Sequence, residues 1–218
     1  MVTILQYSAD VTATTISTYR SELSAQLAQN LGKWSFELKM YKPNPASIGR
    51  SEHHNGNIPQ GQQEAAAADQ EIGGVAALYT LTQAHSKGDM VYVTQGSAVQ
   101  GQPGVVVSDS FDMVLQNKMK SIWILRQTLR GDGAEYELMG DAYGRVKVRL
   151  ANVFLQGTFR GLLFQYEYEG DTLDDRQQQH LMEFIQSSGF PSSNLIIGGN
   201  GSGLVQTGTQ FVEALAQK

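Results

Sequence analysis

The chain has 218 residues, 41% of them hydrophobic, and no cysteine. That length suits one large domain with a substantial core, and the missing cysteines exclude disulfides, thiolate zinc sites and cysteine nucleophiles. With 16 Lys and Arg against 21 Asp and Glu, the formal charge of −5 opposes extended docking along a nucleic-acid backbone. The opening MVTILQYSAD has no basic flank. No stretch approaches the ~20 apolar residues that span a bilayer, so the sequence predicts a soluble chain without a secretion signal or membrane span.

Val2 to Tyr7 is a predicted strand. A helix should follow, with Ile16, Tyr19, Leu23, Leu27 and Leu31 at three-to-four spacing and with Asn30 and Gly32 closing it. Lys33 to Lys42 alternates, placing Trp34, Phe36, Leu38 and Met40 on one face and Ser35, Glu37, Lys39 and Tyr41 on the other. From about 43 to 71 large apolar side chains nearly vanish, which predicts a flexible insertion within a single domain spanning 1–218. His53 and His54 lie in it without a third ligand at metal-binding spacing. Gly74–Thr82 and Met90–Thr94 are the next predicted strands, joined by the turn residues 86–89. Val105–Val107 is a third. Ser110 should cap a helix carrying Phe111, Val114, Leu115 and Met119, with Asp112 favourably placed in its first turn.

The stretch IWILRQTLRGDGAEYEL, residues 122–138, reads as a hairpin turning at Gly131–Ala134. Arg130 would then face Glu135, Leu129 would face Tyr136, and Thr128 would face Glu137. A second hairpin about Gly157 puts Arg145 opposite Glu169 and Lys147 opposite Glu167. It leaves Val146, Val148, Leu150, Leu162, Phe164, Tyr166 and Tyr168 on the core face. A basic stripe that already faces an acidic one offers little net field to a phosphate chain, so no direct nucleic-acid contact is expected. Thr172 and Asp175 have capping-box spacing before a helix burying Leu181, Phe184 and Ile185, closed by Gly189 and Pro191. Leu195–Ile197 should add a strand, GGNGSG at 198–203 a linker, and Phe211, Val212 and Leu215 a terminal helix.

No chemistry stands out. GGNGSG lacks the lysine of a phosphate loop, since Leu204 stands after its last glycine, and no G-x-S-x-G elbow occurs. The sequence predicts no catalytic, cofactor-binding or metal residue. The enzyme alternative is a β-barrel holding a phosphorylated ligand, and it conflicts with the alternation: Glu37, Glu135, Glu137, Glu167 and Glu169 fall opposite the bulky apolar set, outside a closed barrel. Three strands look apolar on both faces, and Leu78, Tyr92 and Ile124 lie on the face away from the presumed interior. These three are the candidate partner-contact residues.

The runs SDSFDMVLQNKMKSIWILRQTLRGDGAEYEL and VKVRLANVFLQGTFRGLLFQYEYEGD resemble subunit 20 of the Mediator complex, the TATA-binding-protein-related family of its head module. The matching features are Phe111 to Leu115, Trp123, Arg126-Gln127, Gly131-Asp132, Val148-Arg149-Leu150, Asn152 and Gly161-Leu162-Leu163. The resemblance covers roughly 108–187 most clearly and has no counterpart for most of 43–71. It implies an α+β, mainly antiparallel fold, a closed or nearly closed β-barrel flanked by about three helices. It also implies a non-catalytic structural and regulatory role in RNA polymerase II transcription, in the nucleus. The implied partners are Mediator subunit 18 as a heterodimer and subunit 8 as a tether to the head module. TATA-binding protein and RNA polymerase II would be reached through the complex. No cofactor is implied.

Overall fold

The computed structural model describes residues 2–26, 28–48, 76–84, 89–94, 105–108, 111–140, 144–168, 174–198 and 203–216. Nine strands and five helices occur among them: β1 Val2–Ser8, α1 Thr15–Ala25, β2 Gln29–Pro43, α2 Pro45–Ile48, β3 Ala77–Gln83, β4 Asp89–Thr94, β5 Val105–Ser108, α3 Phe111–Asn117, β6 Trp123–Gly140, β7 Gly144–Leu155, β8 Thr158–Tyr168, α4 Asp175–Ser187, β9 Ile196–Ile197 and α5 Gly203–Leu215. The fold is mostly antiparallel sheet with helices, as the sequence suggests, although the helices outnumber the expected three. The chain forms two compact units. One comprises 1–37, 83–85 and 129–218, the other 38–82 and 86–128.

In the first unit the hydrogen-bonded order is β6-β7-β8-β1-β9. Alternation along these strands sends Ile4, Tyr136, Leu138, Val146, Val148, Leu150, Leu162, Phe164 and Tyr166 to one face, where α1 adds Ile16 and Leu23 and α4 adds Leu181, Phe184 and Ile185. Fully burying a side chain of this kind contributes about 1.5–3 kcal/mol, so this layer is the main source of the unit's stability. The opposite face is covered too. There α5 packs on β1 and β9, its Gln210 amide donates to the carbonyls of Thr3 (2.6 Å) and Ile196 (2.9 Å), and Phe211 meets Phe36 with ring centres 5.0 Å apart.

The hairpin about Gly157 forms as expected. Gln156 and Gly157 both have positive φ, 50° and 86°, which gives the two-residue turn whose twist suits adjoining strands. Its register pairs Lys147 with Glu167, Val148 with Tyr166 and Leu150 with Phe164. Glu169 lies outside the described residues, so its expected pairing with Arg145 does too.

The first hairpin does not form where the sequence placed it. Residues 123–140 are one continuous strand, and Gly131-Asp132-Gly133 sits in its middle, paired with Val153, Asn152 and Ala151. The strand returns only after Gly140, which pairs with Gly144. Glycine marks close packing here and not a turn: a Cβ on Gly131 would overlap the Phe36 ring, and one on Gly133 would overlap the Leu150 carbonyl. Charge complementarity survives in a different register, with Glu135 opposite Arg149 and Glu137 opposite Lys147.

Smaller shifts have local causes. Helix α1 stops at Ala25, because β2 already begins at Gln29; Leu31, expected on its buried stripe, is a strand residue and 42% exposed. Asn30 and Gly32 therefore shape the strand's start, with the Gly32 N–H donating to Asn30 Oδ1 (2.8 Å) and Gly32 at φ 119°. The capping box at α4 uses Asp174 and Gln177: Asp174 Oδ1 accepts the Gln177 N–H (2.7 Å), and Gln177 Oε1 accepts the Asp174 N–H (3.1 Å). Thr172 lies outside the described residues.

In the second unit β5, β4 and β3 run antiparallel, with Leu78 opposite Val93, Tyr79 opposite Tyr92, and Tyr92 opposite Val105. The core is a cluster of Tyr41, Leu78, Leu115 and Trp123, with Phe111 and Met119 against it. Tyr41 was expected on the polar face of β2 and is only 1% exposed. Of the segment read as an insertion, Pro43 closes β2 and Pro45–Ile48 forms the short α2, whose start is held by Asn44. Most of the rest of 43–71, including His53 and His54, lies outside the described residues.

Candidate interaction surfaces

The three candidate contact residues have different fates. Leu78 is buried, covered by this chain's own Leu115, Trp123 and Tyr41, so it does not present a free outward face. Alternation alone could not reveal that α3 covers it. Tyr92 is placed by its backbone within β4, and its side chain lies outside the described residues. Ile124 is partly exposed at the start of β6. Around it in the sequence, Ile122 and Leu125 are exposed, and on α3 Met113 and Val114 are as well. Exposed apolar side chains thus recur along 113–125 in the sequence. A helix stripe read from spacing missed Val114's exposure because seven residues of α3 bury one side chain, Leu115.

The polar anchor of this unit is Asp112 in the first turn of α3. Its carboxylate accepts from Lys39 Nζ (2.5 Å), the Tyr41 hydroxyl and Gln116 Nε2 (2.8 Å). Burial raises the Asp112 pKa, but those hydrogen bonds and the Lys39 charge outweigh it and hold the carboxyl below its ordinary value. Lys39 and Tyr41 come from β2, so the network fixes α3 to that strand.

The first unit contains a charged cluster that the alternation misjudged. Glu135 and Arg149 belong to the face opposite the bulky apolar set, yet they are only 5% and 6% exposed. Arg149 donates to Glu135 from Nε (2.9 Å) and to Glu167 from Nη1 (2.5 Å), and its Nη2 stands 2.8 Å from Glu135. The outside-charges argument therefore fails at these positions. The charges are nonetheless paired: one guanidinium meets two carboxylates, with Lys147 3.8 Å from Glu167. Arg130 instead reaches Glu37 of β2 at 2.7 Å. Among the described residues no group of three or more His, Cys, Asp or Glu side chains is arranged to hold a metal ion.

Comparison with known proteins decides the family. A family model described as TATA-binding related factor (TRF) of subunit 20 of Mediator complex matches residues 1–216. The chain belongs to that family. It is similar to Mediator of RNA polymerase II transcription subunit 20 of Scheffersomyces stipitis, 31% identical over 77% of this chain and 76% of that one. The same-named protein of Debaryomyces hansenii is 28% identical over 79% of this chain and 78% of its own length. Among solved structures, the Schizosaccharomyces pombe Mediator head module has a chain with 13% identity and a TM-score of 0.42, covering 90% of this chain and 96% of that one. The PH1819 protein from Pyrococcus horikoshii gives 10% identity and a TM-score of 0.43, over 96% and 98%. Both structural likenesses are distant.

Proposed function

We propose that this chain acts in the nucleus as a head-module subunit, pairing with Mediator subunit 18 and tethered through subunit 8. It is a non-catalytic Mediator subunit of the subunit 20 family in RNA polymerase II transcription, and the match across residues 1–216 is the observation that carries this role. TATA-binding protein and the polymerase would be reached through the complex. The barrel enzyme with a phosphorylated ligand has no support from the family.

Pairing is supported by the exposed apolar side chains along 113–125, among which Met113 is 64% exposed and Leu125 41%. Ile124 and Tyr92 remain the proposed contacts, and Leu78 would act from beneath, as part of the core under that surface. Closure of the sheet into a barrel, a single folding domain over 1–218 and a dispensable insertion at 43–71 belong to the same proposal. The test is co-purification of the tagged full chain from its own cells. Stoichiometric subunits 18 and 8 support the pairing. Incorporation into Mediator without direct binding of purified subunit 18 overturns it.

A further inference from the structure

Arg20 of α1, Asn30, Gly32 and Lys33 of β2, and Asp132 to Ala134 and Tyr136 of β6 line a cleft of about 350 Å³ in the first unit. Its floor is shaped by residues with little or no side chain. Gly32, with a left-handed φ of 119°, has open space where a Cβ would stand, and Gly133 cannot carry one without striking the Leu150 carbonyl. Asn30 spends its carbonyl oxygen on the Gly32 N–H, which leaves its amide nitrogen as a donor at the rim.

Two cations and one carboxylate surround this floor, and among the described residues Arg20, Lys33 and Asp132 have no ion-pair partner. Arg20 is the more telling case. Its Nε is shut off from solvent and donates to no acceptor, although a buried charged donor normally finds one.

We infer that this cleft receives an acidic side chain from a protein partner, its carboxylate held between Arg20 and Lys33 while a neighbouring donor of the same segment meets Asp132. Charge count separates this occupant from a phosphate chain. Two cations less one carboxylate leave a single net positive charge, which matches one carboxylate, and Asp132 would repel the successive charges of a polyanion. The guanidinium fork matches a carboxylate bidentately, and the volume admits one or two side chains. The inference rests on the chain's role as an assembly subunit and adds to it a recognition chemistry separate from the exposed apolar side chains of residues 113–125.

The test is a titration of the isotope-labelled full chain with acetyl-Gly-Glu-Gly-amide, following the Arg20 Nε–H and the Gly32 and Gly133 amide resonances. A saturable shift is expected that the glutamine twin of the peptide does not produce. R20Q and K33Q should each weaken it by about threefold or more, as loss of one exposed ion pair does, and D132N should tighten it. Lys33 is an exposed strand residue, so K33Q keeps the test usable if R20Q fails to fold. Equal shifts with the glutamine peptide, no saturation up to its solubility limit, or tighter binding of inorganic phosphate than of the glutamate peptide would overturn the inference. Absence of the chain from purified Mediator would sink its assembly role and leave the titration result standing.

Discussion

Gly131 on β6 and Phe36 on β2 share one space: the phenyl ring lies where a side chain at 131 would begin. Gly131→Ala should therefore destabilise the protein by about 1–3 kcal/mol, the usual cost of forcing a methyl into a filled core. Urea unfolding followed by tryptophan fluorescence measures this, since Trp34 stands 5.5 Å from Phe36. A wild-type midpoint for Gly131→Ala, alongside a destabilised Phe36→Ala, would show that the ring moves aside without cost.

The same pair shows what the sequence conceals. Gly-Asp-Gly between alternating apolar residues has the composition of a turn, and only the partner ring of Phe36, distant in sequence, makes it the middle of a strand. By contrast, the hairpin at Gln156-Gly157 was legible because its cause is local: a glycine that takes positive φ freely, between two strands of matched alternation. The burial of Glu135 and Arg149 was hidden for the former reason. Alternation reports which face a residue takes, and it carries no information on what covers that face. Ile124's partial exposure followed from its place in the strand. Leu78's burial followed from α3, whose docking on β2 through Asp112 no spacing rule encodes.

Arg149 should be the most sensitive charged residue of the first unit. Removing it takes from buried Glu135 and half-buried Glu167 the guanidinium that pairs with both, and breaking such a pair typically costs about 3–5 kcal/mol. We expect Arg149→Met to lower the denaturant midpoint strongly, and Arg149→Met with Glu135→Leu to recover part of the loss, because a buried carboxylate that has lost its guanidinium is gone while Lys147 remains beside Glu167. A double variant less stable than the single one would refute the idea that the lost ion pair with Glu135 is the cause.

Asp112 predicts an acid dependence. Its carboxyl is held below the ordinary value of 3.8, so the folded state binds a proton less readily than the unfolded chain does. Its contribution is present in full above that ordinary value and is lost as the pH falls toward and through the lowered folded value. Asp112→Asn should thus be less stable than wild type at neutral pH, and the difference should narrow below pH 3.8. Thermal melts of both proteins across the acid range provide the check. A constant difference at every pH would mean that the charge of Asp112 contributes nothing beyond its shape.

Leu78 and Ile124 should fail in opposite ways. Leu78 is packed against Tyr41, Leu115 and Trp123, so an aspartate there buries a charge without a partner and should unfold the unit that contains it. Ile124 is already partly in water, and Ile124→Asp should leave the melting temperature of the isolated protein within a few degrees of wild type. Its cost should fall on association, because a charge at an interface anchor is desolvated only when the partner arrives. Binding of purified subunit 18 to each variant, measured beside a melt of each free protein, separates the two. Full binding by a folded Ile124→Asp, together with full binding by a folded Tyr92→Asp, would move the interface away from this surface, and a folded Leu78→Asp would show that α3 covers that position less tightly than its burial implies.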